Sequence, residues 1–181
     1  MRAIVHVPND VLTAPAKTVT QFDKRLIKLI ANMKAILKTT RNPKGVGLAA
    51  PQIGESWRVF ITRPKAADPI RVFINPEIIS RAEEVSDEVP ERDNKLEGCL
   101  SIPKIWGRVK RATSLTLRYQ DKTSTIHEEQ FEGFFSTIVQ HETDHLNGIL
   151  FTQRVLEQNG KLYQTSRDKD GKEVLEEIEL K

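Results

Sequence analysis

Cysteine is nearly absent: Cys99 stands alone, so no internal disulfide can staple the chain, which fits a reducing compartment. No apolar run approaches the roughly 20 residues of a membrane-spanning helix. The start, Met1-Arg2-Ala3-Ile4-Val5, lacks the pattern of a signal or transit peptide. The expectation is a cytoplasmic protein with no membrane partner. Aromatic residues are scarce at 6%, and apolar residues make up 38% against 29% charged, a globular composition on the polar side of average. No internal repeat or low-complexity tract is present. A length of 181 residues suits one domain, residues 1–181, with a proper core.

Acidic residues are scarce at the N-terminal end. Residues 1–65 hold twelve Lys and Arg against Asp10, Asp23 and Glu55, so this stretch carries +9 within a total of +3. Such a basic stretch could favour an RNA-rich surface such as the ribosome. A solvated surface is the preferred reading, because no stacking aromatics interleave with these cations as in a single-strand binding module. Sequence-specific nucleic-acid binding is not expected.

What is present is Gln140-His141-Glu142-Thr143-Asp144-His145, a His-Glu-x-x-His motif. On a helix, His141 and His145 lie four apart and project from one face, where two imidazoles can reach one metal ion. A neighbouring carboxylate, Glu142, suits amide hydrolysis, since it can take a proton from water and return it to the leaving amine. Phe134, Ile138, His141 and His145 fall at helical spacing, and Asn147-Gly148 provides a stop. Two histidines can also meet by chance on an amphipathic helix, so the deciding question is whether the chain supplies a third ligand. Cys99, alone, reads equally well as a small buried hydrophobe.

In chain order, the segment to Val19, with Pro8 and Pro15, reads as an extended strap with turns. Thr20 to Leu37 reads as a helix, with Thr20 and Asp23 resembling a capping box. Arg58–Thr62 and Ile70–Ile74 suggest an antiparallel pair. Arg81 to Lys95 reads as a charged, solvated excursion, and Val109–Ala112, Ser114–Tyr119 and Thr125–Phe131 as strands leading to a helix near Gly133. Beyond Phe151 the chain turns polar, and 161–181 is read as a variable tail for which a hairpin is favoured, although Glu173 to Glu179 would also suit a helix.

Three segments together resemble the signature motifs of the peptide deformylase family: Gly45-Val46-Gly47-Leu48-Ala49-Ala50-Pro51-Gln52, Glu97-Gly98-Cys99-Leu100-Ser101, and the His-Glu-x-x-His stretch. The similarity extends to about Arg154. It implies an α+β fold with antiparallel β-sheets around a central helix carrying the motif. It also implies a metal-dependent hydrolase that removes the formyl group from N-formylmethionine on nascent polypeptides. By resemblance, Cys99 joins His141 and His145 as metal ligand, Glu142 is the general acid/base, and the Gln52 amide with the Leu100 N–H stabilises the developing oxyanion. A strand-like peptide would pair near Val46, Gly47 and Gly98, the glycines keeping its path clear. Its methionine would enter a pocket of Val46, Phe134, Ile138 and His141. Two imidazoles and a thiolate suit a borderline-soft divalent ion. The family implies Fe(2+), and Zn(2+), Ni(2+) or Co(2+) suit the same ligands. Glu97 and Arg111 match an ion pair that would brace Cys99, and Asp144 could orient the site. Formylated starts point to a bacterial cytoplasm.

Ser136-Thr137 stands where the family often has Ala-Arg, and Lys104 where Gly is common, which touches pocket shape and not the reaction. Two rivals stay open. One is a metalloendopeptidase using Glu157 as third ligand, which leaves Cys99 and Gln52 without roles. The other is a silent relative that binds ribosomes through its basic end.

Overall fold

The computed structural model describes residues 3–40, 45–87 and 96–179. The N-terminal strap lies across the later motif segments. Val5 N–H donates to Gln52 O (2.8 Å), Val7 N–H to Ser101 O (3.2 Å) and Ala16 N–H to Leu146 O (2.9 Å). One 3-10 turn, Asp10–Leu12, interrupts it.

Helix α1, Lys24–Thr39, starts later than its periodicity suggests. Asp23 is the N-cap, its carboxylate accepting from the Arg25 and Leu26 N–H groups, so Thr20 forms no part of a capping box. Leu26, Leu29, Ile30, Met33, Ile36 and Leu37 are buried along one stripe. They pack on Leu48, Val59, Ile61 and Ile74.

The strands β1 (Gly47–Ala49), β2 (Val59–Thr62), β3 (Arg71–Arg81), β8 (Ser114–Gln120) and β9 (Ile126–Glu132) form an antiparallel sheet in the order β1-β2-β3-β8-β9. The expected pairing of 58–62 with 70–74 is its β2–β3 ladder. A second antiparallel sheet has the order β11-β10-β6-β5, from β5 (Glu97–Cys99), β6 (Ile102–Gly107), β10 (Leu162–Arg167) and β11 (Glu173–Glu177). A small pair joins β4 (Val85–Ser86) to β7 (Arg111–Ala112).

Helix α2, Gly133–Leu146, carries the motif. Val139 and Leu146 pack into Phe60, Phe73, Leu115, Leu117 and Phe131 of the larger sheet. A short helix α3, Phe151–Glu157, covers the second sheet, where Phe151 and Val155 meet Cys99, Ile102, Val109 and Leu162. The architecture is therefore antiparallel α+β, with α2 between the sheets' elements.

Three expectations change. The solvated excursion is shorter than expected, because β3 continues through Arg81 and Val85–Ser86 pairs with β7. Residues 88–95 of that stretch lie outside the described residues. The strand expected over 109–112 contracts to Arg111–Ala112. The polar region after Phe151 contains α3, whose two buried residues lie four apart. The tail hairpin is present as β10–β11, with Tyr163 opposite Glu177 and Arg167 opposite Glu173.

Candidate metal centre and active site

Helical spacing brings the His141 and His145 rings to a centroid separation of 4.9 Å on α2. Cys99, at the end of edge strand β5, reaches the same point from the other sheet. One donor atom from each of Cys99, His141 and His145 lies within 4.8 Å of the other two, and all three residues are buried. Cys99 Sγ is 3.2 Å from His145 Nε2, a spacing that two ligands of one tetrahedral ion can share.

Charge around the donors favours a cation. Burial alone would raise the Cys99 thiol, but the His145 and His141 imidazoles bring it down to about 5. Burial opposes charge on His141, yet Glu97 and Cys99 raise its pKa well above the usual value. The ring thus sits between two anions and positive charge is favoured there. His141 Nδ1 is 2.6 Å from Glu97 Oε1, which leaves Nε2 as its ligand atom.

Glu97 is itself gripped. Arg111 donates to both of its oxygens at 3.1 and 2.7 Å and to Asp144 Oδ2 at 2.6 Å. Burial would raise Glu97, but Arg111 and His141 hold it far below the usual carboxylate range. Arg154 reaches Asp144 from α3 at 2.8 Å, extending the chain of contacts. Gln140 fastens β7, its Oε1 accepting from Ala112 N–H (3.1 Å) and its Nε2 donating to Ala112 O (3.0 Å). Ser136 Oγ donates to the same carbonyl at 2.8 Å. Residue 136 thus supports the site from behind.

The family model for polypeptide deformylase matches residues 1–161. This chain belongs to that family. It is 39% identical to peptide deformylase 1 of Bacillus cereus over 153 residues, covering 84% of this chain and 90% of the relative. It is 42% identical to the peptide deformylase of Pseudothermotoga lettingae over 141 residues, covering 78% and 75%. Among solved structures, the Thermotoga maritima peptide deformylase has a TM-score of 0.72 at 37% identity, covering 85% of this chain and 97% of that one. An actinonin-bound class I type b deformylase from Acinetobacter baumannii has a TM-score of 0.73 at 34% identity, covering 86% and 98%.

In this deformylase chain, Glu142 points into the same cleft, buried, with Oε2 lacking a hydrogen-bond partner among the described residues. Burial raises its carboxyl to about 7 despite the nearby imidazoles. Gln52 is oriented by its own turn: Oε1 accepts from Ala49 N–H at 2.8 Å, and Nε2 faces Cys99 Sγ at 3.4 Å. The cleft encloses about 570 Å³, including space open to solvent, and Val46, Gly47, Gly98, Leu100, Phe134 and Ile138 all line it. Thr137, at one of the family departures, lines it too.

Two of the glycines also leave space inside the protein. A Cβ on Gly47 would lie 2.2 Å from Glu142 Oε1, and one on Gly98 would lie 2.6 Å from the Trp106 ring. Each makes room for the protein's own side chain. Glu157 is remote from the donors, paired with Arg154 at 3.0 Å, so the metalloendopeptidase rival loses its third ligand. The sequence carried no sign of Arg154 as a partner of Asp144, whereas Gln140 is adjacent to the motif and could have been singled out.

Proposed function

We propose that Cys99, His141 and His145 hold one divalent ion with which this chain removes the formyl group from N-formylmethionine on nascent polypeptides. The bound ion supplies Lewis acidity, polarising the formyl carbonyl and making water a better nucleophile at neutral pH. Glu142 takes the proton of the attacking water, and its unpaired Oε2 supports that role. The same carboxyl then returns the proton to the methionine nitrogen as formate leaves. Gln52 Nε2 and the Leu100 N–H donate to the carbonyl oxygen as it gains charge.

Strand β1 and strand β5 are each at the edge of a separate sheet, and both border the cleft. An extended peptide could pair with Val46 and Gly47 on one side and Gly98 on the other. The methionine side chain would then rest among Val46, Phe134, Ile138 and His141. Iron(II) is the metal we favour, with zinc, nickel or cobalt compatible with the donors. We place the reaction in a bacterial cytoplasm and treat residues 1–181 as one functional unit. No helix among the described residues is long and apolar enough to cross a membrane.

A ribosome contact has a surface available. Helix α1 carries Lys24, Arg25, Lys28, Lys34 and Lys38 without an acidic residue. Among them, Arg25 lies 4.9 Å from the Trp57 ring centre. Salt-sensitive co-sedimentation with ribosomes tests that contact.

The observation that carries the activity is the convergence of three donors, Glu142 and Gln52 in one cleft. The test is formate release from a short formylmethionyl peptide by protein loaded anaerobically with iron(II). Turnover that falls by about 10²-fold or more in Glu142→Ala, with metal retained, is expected. No turnover despite bound metal and an intact fold overturns the reading. A Cys99→Ala variant that kept its metal would return attention to the endopeptidase alternative.

A further inference from the structure

The family match ends at residue 161, and the hairpin β10–β11 lies beyond it. That hairpin is nonetheless hydrogen-bonded into the sheet that carries Cys99. On β5, Glu97 and Cys99 face the metal site, so alternation turns the Gly98 position to the opposite face. There, Gly98 pairs with Trp106 on β6, Trp106 with Tyr163 on β10, and Tyr163 with Glu177 on β11. The Trp106 ring occupies the space that a Gly98 side chain would need. Its Nε1–H donates to Thr165 Oγ1 at 2.7 Å, across to the hairpin.

A three-residue edge strand with a central glycine is a weak strand, because glycine contributes no packing and retains backbone freedom. A cross-strand aromatic folded over that glycine restores the missing contact. We propose that Trp106, held in place by Thr165, is a positioning residue that sets the β5 edge for the extended substrate, making the C-terminal hairpin part of peptide recognition. The proposal rests on the deformylase reading for its substrate. Trp106 does not line the cleft that holds Cys99, His141 and Glu142, so its contribution is to binding of the peptide beyond methionine. Preorganising an edge strand lowers the ordering cost of pairing and leaves the chemical step alone.

The test compares a formylmethionyl tripeptide with formylmethionine amide, which has no chain to pair with β5. Trp106→Ala is expected to raise KM for the tripeptide by about five- to tenfold with kcat nearly unchanged, and to leave the amide within about twofold. Thr165→Val, an isosteric change outside the cleft, is expected to raise the tripeptide KM by about two- to tenfold, the range of one net hydrogen bond. Trp106→Phe, which keeps a ring over Gly98 and loses the bond to Thr165, is expected to match Thr165→Val. Hydrogen–deuterium exchange over 97–100 should quicken in Trp106→Ala and Thr165→Val.

Equal losses on both substrates, or unchanged KM, overturn the proposal, as does unchanged exchange over 97–100. Failure of the unmodified protein to turn over either substrate sinks the deformylase reading instead, and the exchange measurement still decides whether Trp106 and Thr165 hold the strand.

Discussion

Adding one methyl group at Gly47 should silence the protein while sparing its metal. Gly47 lies in β1 and is absent from the positive-φ residues, so alanine meets no backbone strain there. The obstacle is Glu142: the new Cβ would lie 2.2 Å from Oε1, 2.7 Å from Cδ and 2.9 Å from Cγ. Relief to an ordinary contact requires the carboxylate to move by about 1 Å, a displacement that can cost on the order of 10²-fold in rate. Loss of a general acid/base altogether costs about 10² to 10⁴. Gly47→Ala is therefore expected to lower kcat for a formylmethionyl peptide by at least about 10²-fold, with overpacking lowering stability by about 1–3 kcal/mol. Metal content should be unchanged, since the atoms nearest the new Cβ all belong to Glu142 and none to the three donors. The decisive assay adds Glu142→Gln and the double variant to the measurement of formate release. If both changes act through one carboxylate, the double variant is no slower than Glu142→Gln alone. Multiplicative losses, or a Gly47→Ala protein with near-normal kcat, would refute the reasoning.

Arg111→Ala leaves the Glu97 and Asp144 carboxylates buried without their shared partner, and unfolding in urea should show a loss of about 3–5 kcal/mol. A loss under about 1 kcal/mol would mean that the network is not stabilised through Arg111. Lys104 is exposed with φ of +66°, in the left-handed region that favours glycine. Lys104→Gly should stabilise by about 0.5–1 kcal/mol, the relief of strain exceeding the added chain entropy; a lowered Tm would contradict this. Glu129 is held below its usual pKa by Arg71, so its contribution is present above the unfolded value of 4.5 and is lost as pH falls through the lower folded value. Glu129→Gln should therefore cost about 0.5–1 kcal/mol at pH 7 and progressively less in denaturation experiments as pH falls below 4.5. A gap that persists at pH 2 would remove the carboxylate from the explanation.

Patterns with a short range were legible without coordinates. Helix α2 follows from 3.6-residue periodicity, and that period alone puts His141 and His145 on one side. The hairpin β10–β11 was legible from its turn residues, and β2–β3 from two β-rich runs bounded by prolines. Helix α3 was legible too, since Phe151 and Val155 are spaced for one face, but its polar surroundings hid the signal. Strand β4 had no local signal, because two residues form a strand only when a partner such as β7 offers its edge.

The site divides along the same line. Residue types and motif order by themselves determined the deformylase family, the metal-ligating helix and the candidacy of Cys99. Only the tertiary structure decided what each residue touches. It brought Cys99 from one sheet to the histidines of α2, linked Glu97 through Arg111 and Asp144 to Arg154, and set Gly47 against Glu142. It also assigned Gly98 to Trp106 and tied Trp106 to the C-terminal hairpin. Periodicity reports which side of an element is apolar, a property of neighbours in the chain. Contacts between residues of different elements depend on how sheets and helices close on one another, and that closure is set by packing of the whole core.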